Sequence, residues 1–288
     1  MVILSENELR GETMKKIACL NLADRMNGIY VRDATFGNAL AHAKTKSGYD
    51  RFERVYVGSS FCAQYFLNSS KEMITALGLF CEKEQMKMTL VLPMFAQRHL
   101  VAGKNKITEL LATGNSYIDE ITVNDLGMLE YIKNHFDISI NLGRLFSKDY
   151  REKRYEEYFS TCLEPKLFNP TFMNIIKDYP IQGMELDATH KAIDLSCVPL
   201  KYTIGIHFPY CYQTVGNICE IASMNKEIQE KFRPNAPCGS ECDTAIICYE
   251  DDEYGTYIKR GRCVFFENRD CNVTGKEEIR LIYSEVLE

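Results

Sequence analysis

The sequence predicts an α/β fold, a single TIM-like (β/α) barrel. Short apolar runs alternate with helical patterns along most of the chain, which indicates parallel strands joined by crossover helices. The 288 residues suit a barrel, whose typical size is about 250 residues. No repeat or inter-domain linker divides the chain, so we expect one domain over residues 1–288. The last strand-like run ends close to Glu288, so we expect the barrel to be incomplete at its C-terminus.

The predicted strands are short, apolar and bounded by residues that stop a strand. They lie at 54–58, 89–92, 119–123, 138–141, 184–186, 202–208, 264–266 and 279–283. Gly58 ends the first of these strands and Pro93 ends the second. A doubly wound sheet is the alternative arrangement, but no glycine-rich phosphate loop follows an early strand.

The helices are predicted from apolar residues at helical spacing and from capping residues. They lie at 73–80, 107–111 and 126–136, and a further helix opens at 169–170. Polar residues at 69–72 offer an N-cap to the first of these helices, and Asn169 followed by Pro170 opens the last.

Composition and charge exclude several classes of protein. Hydrophobic residues make up 45% of the chain and charged residues 26%, which is ordinary globular usage and excludes disorder. The net charge of −6 argues against wholesale binding to a nucleic-acid backbone. No apolar run approaches the roughly 20 residues of a membrane span. The first 16 residues carry early acidic residues and lack the order of a signal peptide. We therefore expect a soluble, cytoplasmic protein.

Three residues near strand ends are candidates for acid–base or substrate-orienting roles, because barrel enzymes carry their chemistry there. Asp125 is such a candidate, although it could instead cap the helix that follows it. Glu185 lies inside an apolar strand, where an unpaired carboxylate is costly, so it is either partnered or functional. His207 is either a core histidine or a site residue. No HExxH, GxSxG or Walker sequence occurs.

The strongest chemical signal is a group of cysteines in a loop at about 207–248. Twelve cysteines without an export signal indicate reduced thiols or metal thiolates rather than disulfides. Four of them follow the pattern C-x7-C-x18-C-x3-C, and two further candidates lie outside that run. The six are Cys211, Cys219, Cys238 and Cys242, with Cys62 and Cys263. Four thiolates suit either structural zinc or an iron–sulfur cluster, and the spacing alone does not separate the two.

The order of several short motifs resembles the collagenase-like peptidase family U32. The motifs are 55–58 followed by Cys62, then 123–127, 184–186, 206–209 leading to Cys219, and Cys238-x3-Cys242. They span about residues 50–245. The similarity is greatest to the short, UbiV-like iron–sulfur branch, which the length of this chain also suits.

The resemblance implies a [4Fe–4S] cluster on four cysteines of a TIM-like barrel. The short branch places its ligands on Cys62, Cys219, Cys238 and Cys242. Longer members imply Cys211, Cys219, Cys238 and a later cysteine such as Cys263. The resemblance also implies oxygen-independent hydroxylation of an aromatic ring or a nucleobase, with the hydroxyl group taken from prephenate. It further implies a heterodimer with a homologous protein.

Two other functions stay open at this point. One is a U32-type peptidase, as the historical family name suggests, and the other is a non-catalytic partner subunit stabilised by a cluster or by zinc. Whether the chain is an enzyme by itself is therefore undecided. We expect a small-molecule substrate. Basic residues at 144–154 alternate with acidic ones, which favours a solvated amphipathic helix over a nucleic-acid groove.

Overall fold

The computed structural model describes residues 14–25, 35–112, 117–147, 162–251 and 255–284, and its strands are numbered here in chain order. Eight parallel strands form a closed barrel within these ranges. Around the barrel they are β1 (Lys15–Asn21), β2 (Arg54–Gly58), β3 (Lys87–Leu92), β4 (Ile118–Val123), β5 (Ser139–Leu142), β7 (Ile181–Asp187), β9 (Thr203–Val215) and β14 (Glu278–Ser284). The predicted TIM-like barrel is confirmed.

The last strand closes the barrel, which corrects the expectation of an incomplete sheet at the C-terminus. β14 pairs in parallel with β1 on one side, where Leu281 lies opposite Ala18. It pairs with β9 on the other side, where Leu281 lies opposite Ile206. Since each barrel strand has two neighbours, no barrel strand is left as an edge.

Six helices are described, and they lie outside the barrel. They are α1 (Phe36–Ser47), α2 (Ala63–Asn68), α3 (Lys71–Lys83), α4 (Gln97–Ala112), α5 (Leu126–His135) and α6 (Pro170–Ile176). Side-chain oxygens of Thr35, Ser70, Asp125 and Asn169 accept the first free backbone N–H groups of α1, α3, α5 and α6. The described helices include none that is long and apolar enough to cross a membrane.

The outer faces of the barrel strands are apolar and pack against the helices, whereas the lumen holds polar side chains beside a small apolar cluster of Cys19, Tyr56, Val91 and Ile282. At the level of β4, Arg280 donates to both carboxylate oxygens of Glu120, at 2.8 and 2.9 Å. Arg54 donates to Asp119 at 2.7 Å. Barrel interiors are usually filled by Val, Ile and Leu. Polar side chains here must instead satisfy one another, because a buried unpaired charge is costly.

An antiparallel sheet leaves the barrel between β9 and β14. The second half of β9 continues past the barrel and pairs with β12 (Cys263–Glu267), which pairs with β11 (Gly255–Arg260) and then with β10 (Ile247–Asp251). We call residues 210–267 the cysteine insertion. The run at 264–266 is therefore a strand, as predicted, but it lies outside the barrel. A separate small sheet joins β6 (Cys162–Leu163), β8 (Ala192–Asp194) and β13 (Val273–Thr274).

Candidate metal-binding site

Cys263 and four other cysteines, from two distant parts of the chain, line one cleft of about 670 Å³, a volume that includes its open mouth. Cys62 directly precedes α2 at the end of β2. Cys219, Cys238 and Cys242 belong to the cysteine insertion. We call this the cysteine cleft. The four are the residues that the short-branch resemblance selects.

Helix α2 holds the two parts of the cysteine cleft together. Asn68 at the end of α2 donates to the carbonyl oxygen of Cys238 at 2.9 Å. Tyr65 in the same helix donates its hydroxyl to the carboxylate of Asp243 at 2.6 Å. Lys106 in turn stabilises the end of α2, because its ammonium group donates to the carbonyl oxygens of Phe66, at 2.5 Å, and of Leu67, at 3.0 Å.

Asp24 fixes the turn that presents Cys62. Its half-buried carboxylate accepts hydrogen bonds from the hydroxyl of Ser59 and from the backbone N–H of Ser60, the latter at 2.8 Å. The same Ser59 hydroxyl accepts the N–H of Cys62 at 2.9 Å. Asp24 has a φ of 67°, in the left-handed region that aspartate tolerates better than most residues. Asp24 was not predicted as a site residue, because it follows β1, a strand that the sequence patterns did not predict.

Two basic side chains fix the loops of the insertion. Arg262 donates to the carbonyl oxygen of Gly216 and to the amide oxygens of Asn217 and Asn235. Lys226 donates to the carbonyl oxygen of Pro237 at 2.5 Å. These contacts surround Cys219 and Cys238 in sequence. The loops are therefore positioned by hydrogen bonds between residues far apart in the chain, not by regular secondary structure.

Burial raises the pKa of three of the four thiols. Burial is the main cause at Cys62, at Cys238, whose pKa it raises to about 11, and at Cys242. The neighbouring thiol of Cys219 raises all three further, while Arg262 opposes the shift at Cys62. Metal-free protein thus holds these three as neutral thiols near pH 7. A bound cation would release their protons, because thiolates are the form that binds metal.

The other two candidate cysteines differ in position. Cys263 is buried and lines the cysteine cleft beside the four. Cys211 is packed into the barrel core, where its thiol donates to the carbonyl oxygen of His207 at 3.7 Å. The structure therefore brings the short-branch set together with Cys263 and places Cys211 elsewhere. Within the described ranges, no three His, Cys, Asp or Glu side chains form a group that could hold a single metal ion.

A second cleft opens at the mouth of the barrel, beside the cysteine cleft. Its volume is about 320 Å³ with the open space at its entrance included, and we call it the mouth cleft. Three arginines line it, namely Arg25, Arg144 and Arg260. The two clefts share four lining residues, namely Asp24, Phe61, Arg260 and Phe265. The two clefts are therefore adjacent, with these residues between them.

Glu185 and His207 form a buried pair inside the barrel. The Nε2 atom of His207 lies 2.9 Å from Glu185, whose other oxygen accepts the hydroxyl of Thr122 at 2.5 Å. Burial and then Arg144 lower the pKa of His207, so its imidazole is neutral at pH 7. Asp187 follows Glu185 by two positions in β7 and is paired with Arg144, which lines the mouth cleft. The pair thus lies one layer below the floor of that cleft.

Asp125 occupies a helix cap. Its carboxylate accepts the N–H of Met128 at 2.7 Å at the start of α5, as the capping alternative predicts. Burial raises the pKa of this carboxyl. Among the basic residues at 144–154, Arg144 lies in the barrel mouth, and residues from 148 onward fall outside the described ranges.

Comparisons of the chain with protein-family models, with curated proteins and with solved structures gave no match. The likeness to family U32 is therefore carried by the sequence motifs alone.

Proposed function

We propose that this protein binds a [4Fe–4S] cluster in the cysteine cleft and acts in oxygen-independent hydroxylation, or a related modification, of an aromatic or nucleobase substrate. The observation that carries the proposal is the convergence of Cys62 with Cys219, Cys238 and Cys242 in one cleft. Cys62 is separated from the other three by more than 150 positions. Incidental core cysteines would have no reason to face the same open space.

The residues of the cysteine cleft suit an anionic metal–thiolate group. Four cysteine thiolates are the usual ligands of a [4Fe–4S] cluster. The guanidinium groups of Arg260 and Arg262 lie beside the thiols and favour negative charge there. Phe61, Tyr65 and Phe265 provide an apolar wall, which limits access of water.

Structural zinc is the alternative content of the cysteine cleft, because zinc also binds four cysteine thiolates, at about 2.3 Å in a tetrahedron. Analysis of iron, sulfide and zinc separates the two.

The cluster would supply one-electron transfer, since four cysteines leave no iron with an open coordination position. The chain's own residues would bind the substrate next to it, in the mouth cleft. Arg25, Arg144 and Arg260 line that cleft, and an anionic substrate there would share Arg144 and Arg260 with their carboxylate partners Asp187 and Asp243. Phe61 and Phe265 would separate the substrate from the cluster.

One observation favours a second candidate, a cluster-bearing subunit that is catalytic only with a partner. Glu185 and His207 face each other under the paired Arg144 and Asp187, so neither is placed to exchange a proton with a substrate in the mouth cleft. Asp125 caps α5. An acid or base supplied by a homologous chain would complete the site.

Anaerobic purification with iron, sulfide and zinc analysis tests the proposal. We expect a brown protein with about four iron and four sulfide per chain and a broad visible band bleached by dithionite. A colourless protein with one zinc per chain would contradict it. Turnover by the loaded chain alone, or only after addition of a homologous chain, separates the two candidate functions.

A further inference from the structure

Arg262 is a buried cation held only by neutral groups. Its side chain donates to the carbonyl oxygen of Gly216 at 2.6 Å, to Asn217 at 2.8 Å and to Asn235 at 3.0 Å. The residue is 7% exposed. Within the described ranges, no carboxylate lies within ion-pair distance of it.

Four other arginines inside the molecule differ from Arg262 because each has a carboxylate partner. The ion pairs are Arg54–Asp119, Arg144–Asp187, Arg260–Asp243 and Arg280–Glu120. An uncompensated buried charge is destabilising. Among the described residues, Arg262 has three neutral hydrogen-bond acceptors and no carboxylate ion pair to offset that cost.

The position of Arg262 indicates where a negative charge could balance its guanidinium group. The residue lines the cysteine cleft next to Cys263, and its charge acts on the thiol of Cys62. Two acidic residues, Asp24 and Glu241, line the same cleft, and neither forms an ion pair with Arg262. A metal–thiolate centre in the cleft would place further negative charge beside Arg262.

We propose that Arg262 is the counter-cation of the metal–thiolate centre and raises its reduction potential. This inference rests on the proposed function. A cluster with four thiolate ligands is negative, and reduction adds a further electron. A fixed guanidinium group in a buried cleft stabilises the reduced form more than the oxidised form, and solvent screens it little. Arg262 is thus a positioning and tuning residue that does not ligate iron.

A structural role for Arg262 must be separated from this electrostatic one, because its three hydrogen bonds also tie the loops before Cys219 and Cys238 together. The test is an anaerobic redox titration of cluster-loaded protein, followed by visible absorbance. Arg262→Gln removes the charge, and Arg262→Lys keeps it while losing the planar fork. Arg233→Gln is the matched control, since this arginine lies in the segment between β9 and β10, two positions before Asn235, and is exposed.

We expect Arg262→Gln to shift the potential to more negative values, Arg262→Lys to stay near the parent, and Arg233→Gln to leave it unchanged. An equal shift in the Lys and Gln variants, or no shift in the Gln variant, would overturn the inference. If Arg262→Gln does not fold, Arg262→His tests the effect of the charge on the reduction potential. Its potential should rise with imidazole protonation near about pH 6.5 more steeply than the parent's, and an identical pH profile would overturn the inference.

The same titration separates this inference from the proposed function. Parent protein that takes up no iron and sulfide would contradict both. A loaded parent whose potential does not respond to Arg262 would contradict the role of Arg262 alone.

Discussion

The barrel and the cysteine insertion are stabilised by different kinds of interaction. Barrel strands bury apolar residues against helices on one side and pair their polar side chains in the lumen on the other. The insertion has short strands and three-residue 3-10 helices, and it leaves large apolar side chains in solvent, with Ile228 at 83% and Phe232 at 55% exposure. The barrel is stabilised by a large apolar core, whereas the insertion has a small apolar cluster around Phe61, Tyr212 and Phe265 and depends also on long-range hydrogen bonds and, we propose, on metal.

The largest expected effect is the loss of the metal centre without loss of the barrel. Cys219→Ala and Cys238→Ala should each lose most of the iron and sulfide that the parent binds, because a ligand is removed. Barrel unfolding, followed by far-ultraviolet circular dichroism, should change little. Cys248→Ala is the matched control, since this cysteine is exposed on β10. Equal iron content in all three variants would contradict the account.

Breaking a buried ion pair should lower the stability of the barrel without changing the amount of bound metal. Asp187→Asn leaves the guanidinium of Arg144 buried without its carboxylate. The free energy of unfolding should fall by about 3–5 kcal/mol, measured by urea denaturation. Glu278→Gln breaks a solvent-exposed pair with Lys15 and should match the parent. An unchanged free energy of unfolding in Asp187→Asn would show that this buried ion pair does not stabilise the barrel.

A smaller effect is expected at Asp125, and it separates the cap from a catalytic role. Asp125→Ala should lower the free energy of unfolding by about 1 kcal/mol because α5 loses its N-cap. Asp125→Asn should keep most of that stability, since asparagine also caps helices. Ser70→Ala, at the equivalent position of α3, is the comparison. Loss of turnover in the stable Asn variant would instead support catalysis by Asp125.

The smallest expected effect is a pH dependence of barrel stability from His207. Burial lowers its folded pKa, while in the unfolded chain it takes up a proton near about pH 6.5. The unfolded state then binds more protons between the two pKa values, so stability falls as the pH drops through about 6.5. His99 shifts in the same direction. The dependence should weaken in His207→Gln and persist in His42→Gln, whose side chain lies on α1.

Local patterns predicted the barrel well, because they report burial and periodicity. The runs at 54–58 and 89–92 and the stripe at 126–136 correspond to β2, β3 and α5. β1 was missed, since it begins with two lysines and offers a short apolar run. Only the end of α4 was predicted, because Gly103, Lys104 and Asn105 interrupt the pattern of its first turns.

The site was predictable only where residue type and short motifs carry the signal. Cys62 was a candidate because it is a cysteine that follows a predicted strand, and the resemblance to family U32 grouped it with Cys219 before the fold was known. Asp24 and Arg262 could not be predicted, because their roles arise from hydrogen bonds to residues brought close only by folding. The antiparallel order of β9, β12, β11 and β10 depends on pairing across the whole insertion, which periodicity does not show.

The central claim is that one barrel cysteine completes a centre built by the insertion. It is tested most directly by iron and sulfide content and electron paramagnetic resonance of dithionite-reduced Cys62→Ser and Cys263→Ser, prepared anaerobically beside the parent. Both cysteines line the same cleft, but only Cys62 belongs to the proposed ligand set. The account predicts loss of the four-iron signal in Cys62→Ser and its retention in Cys263→Ser. Retention in Cys62→Ser with loss in Cys263→Ser would contradict it.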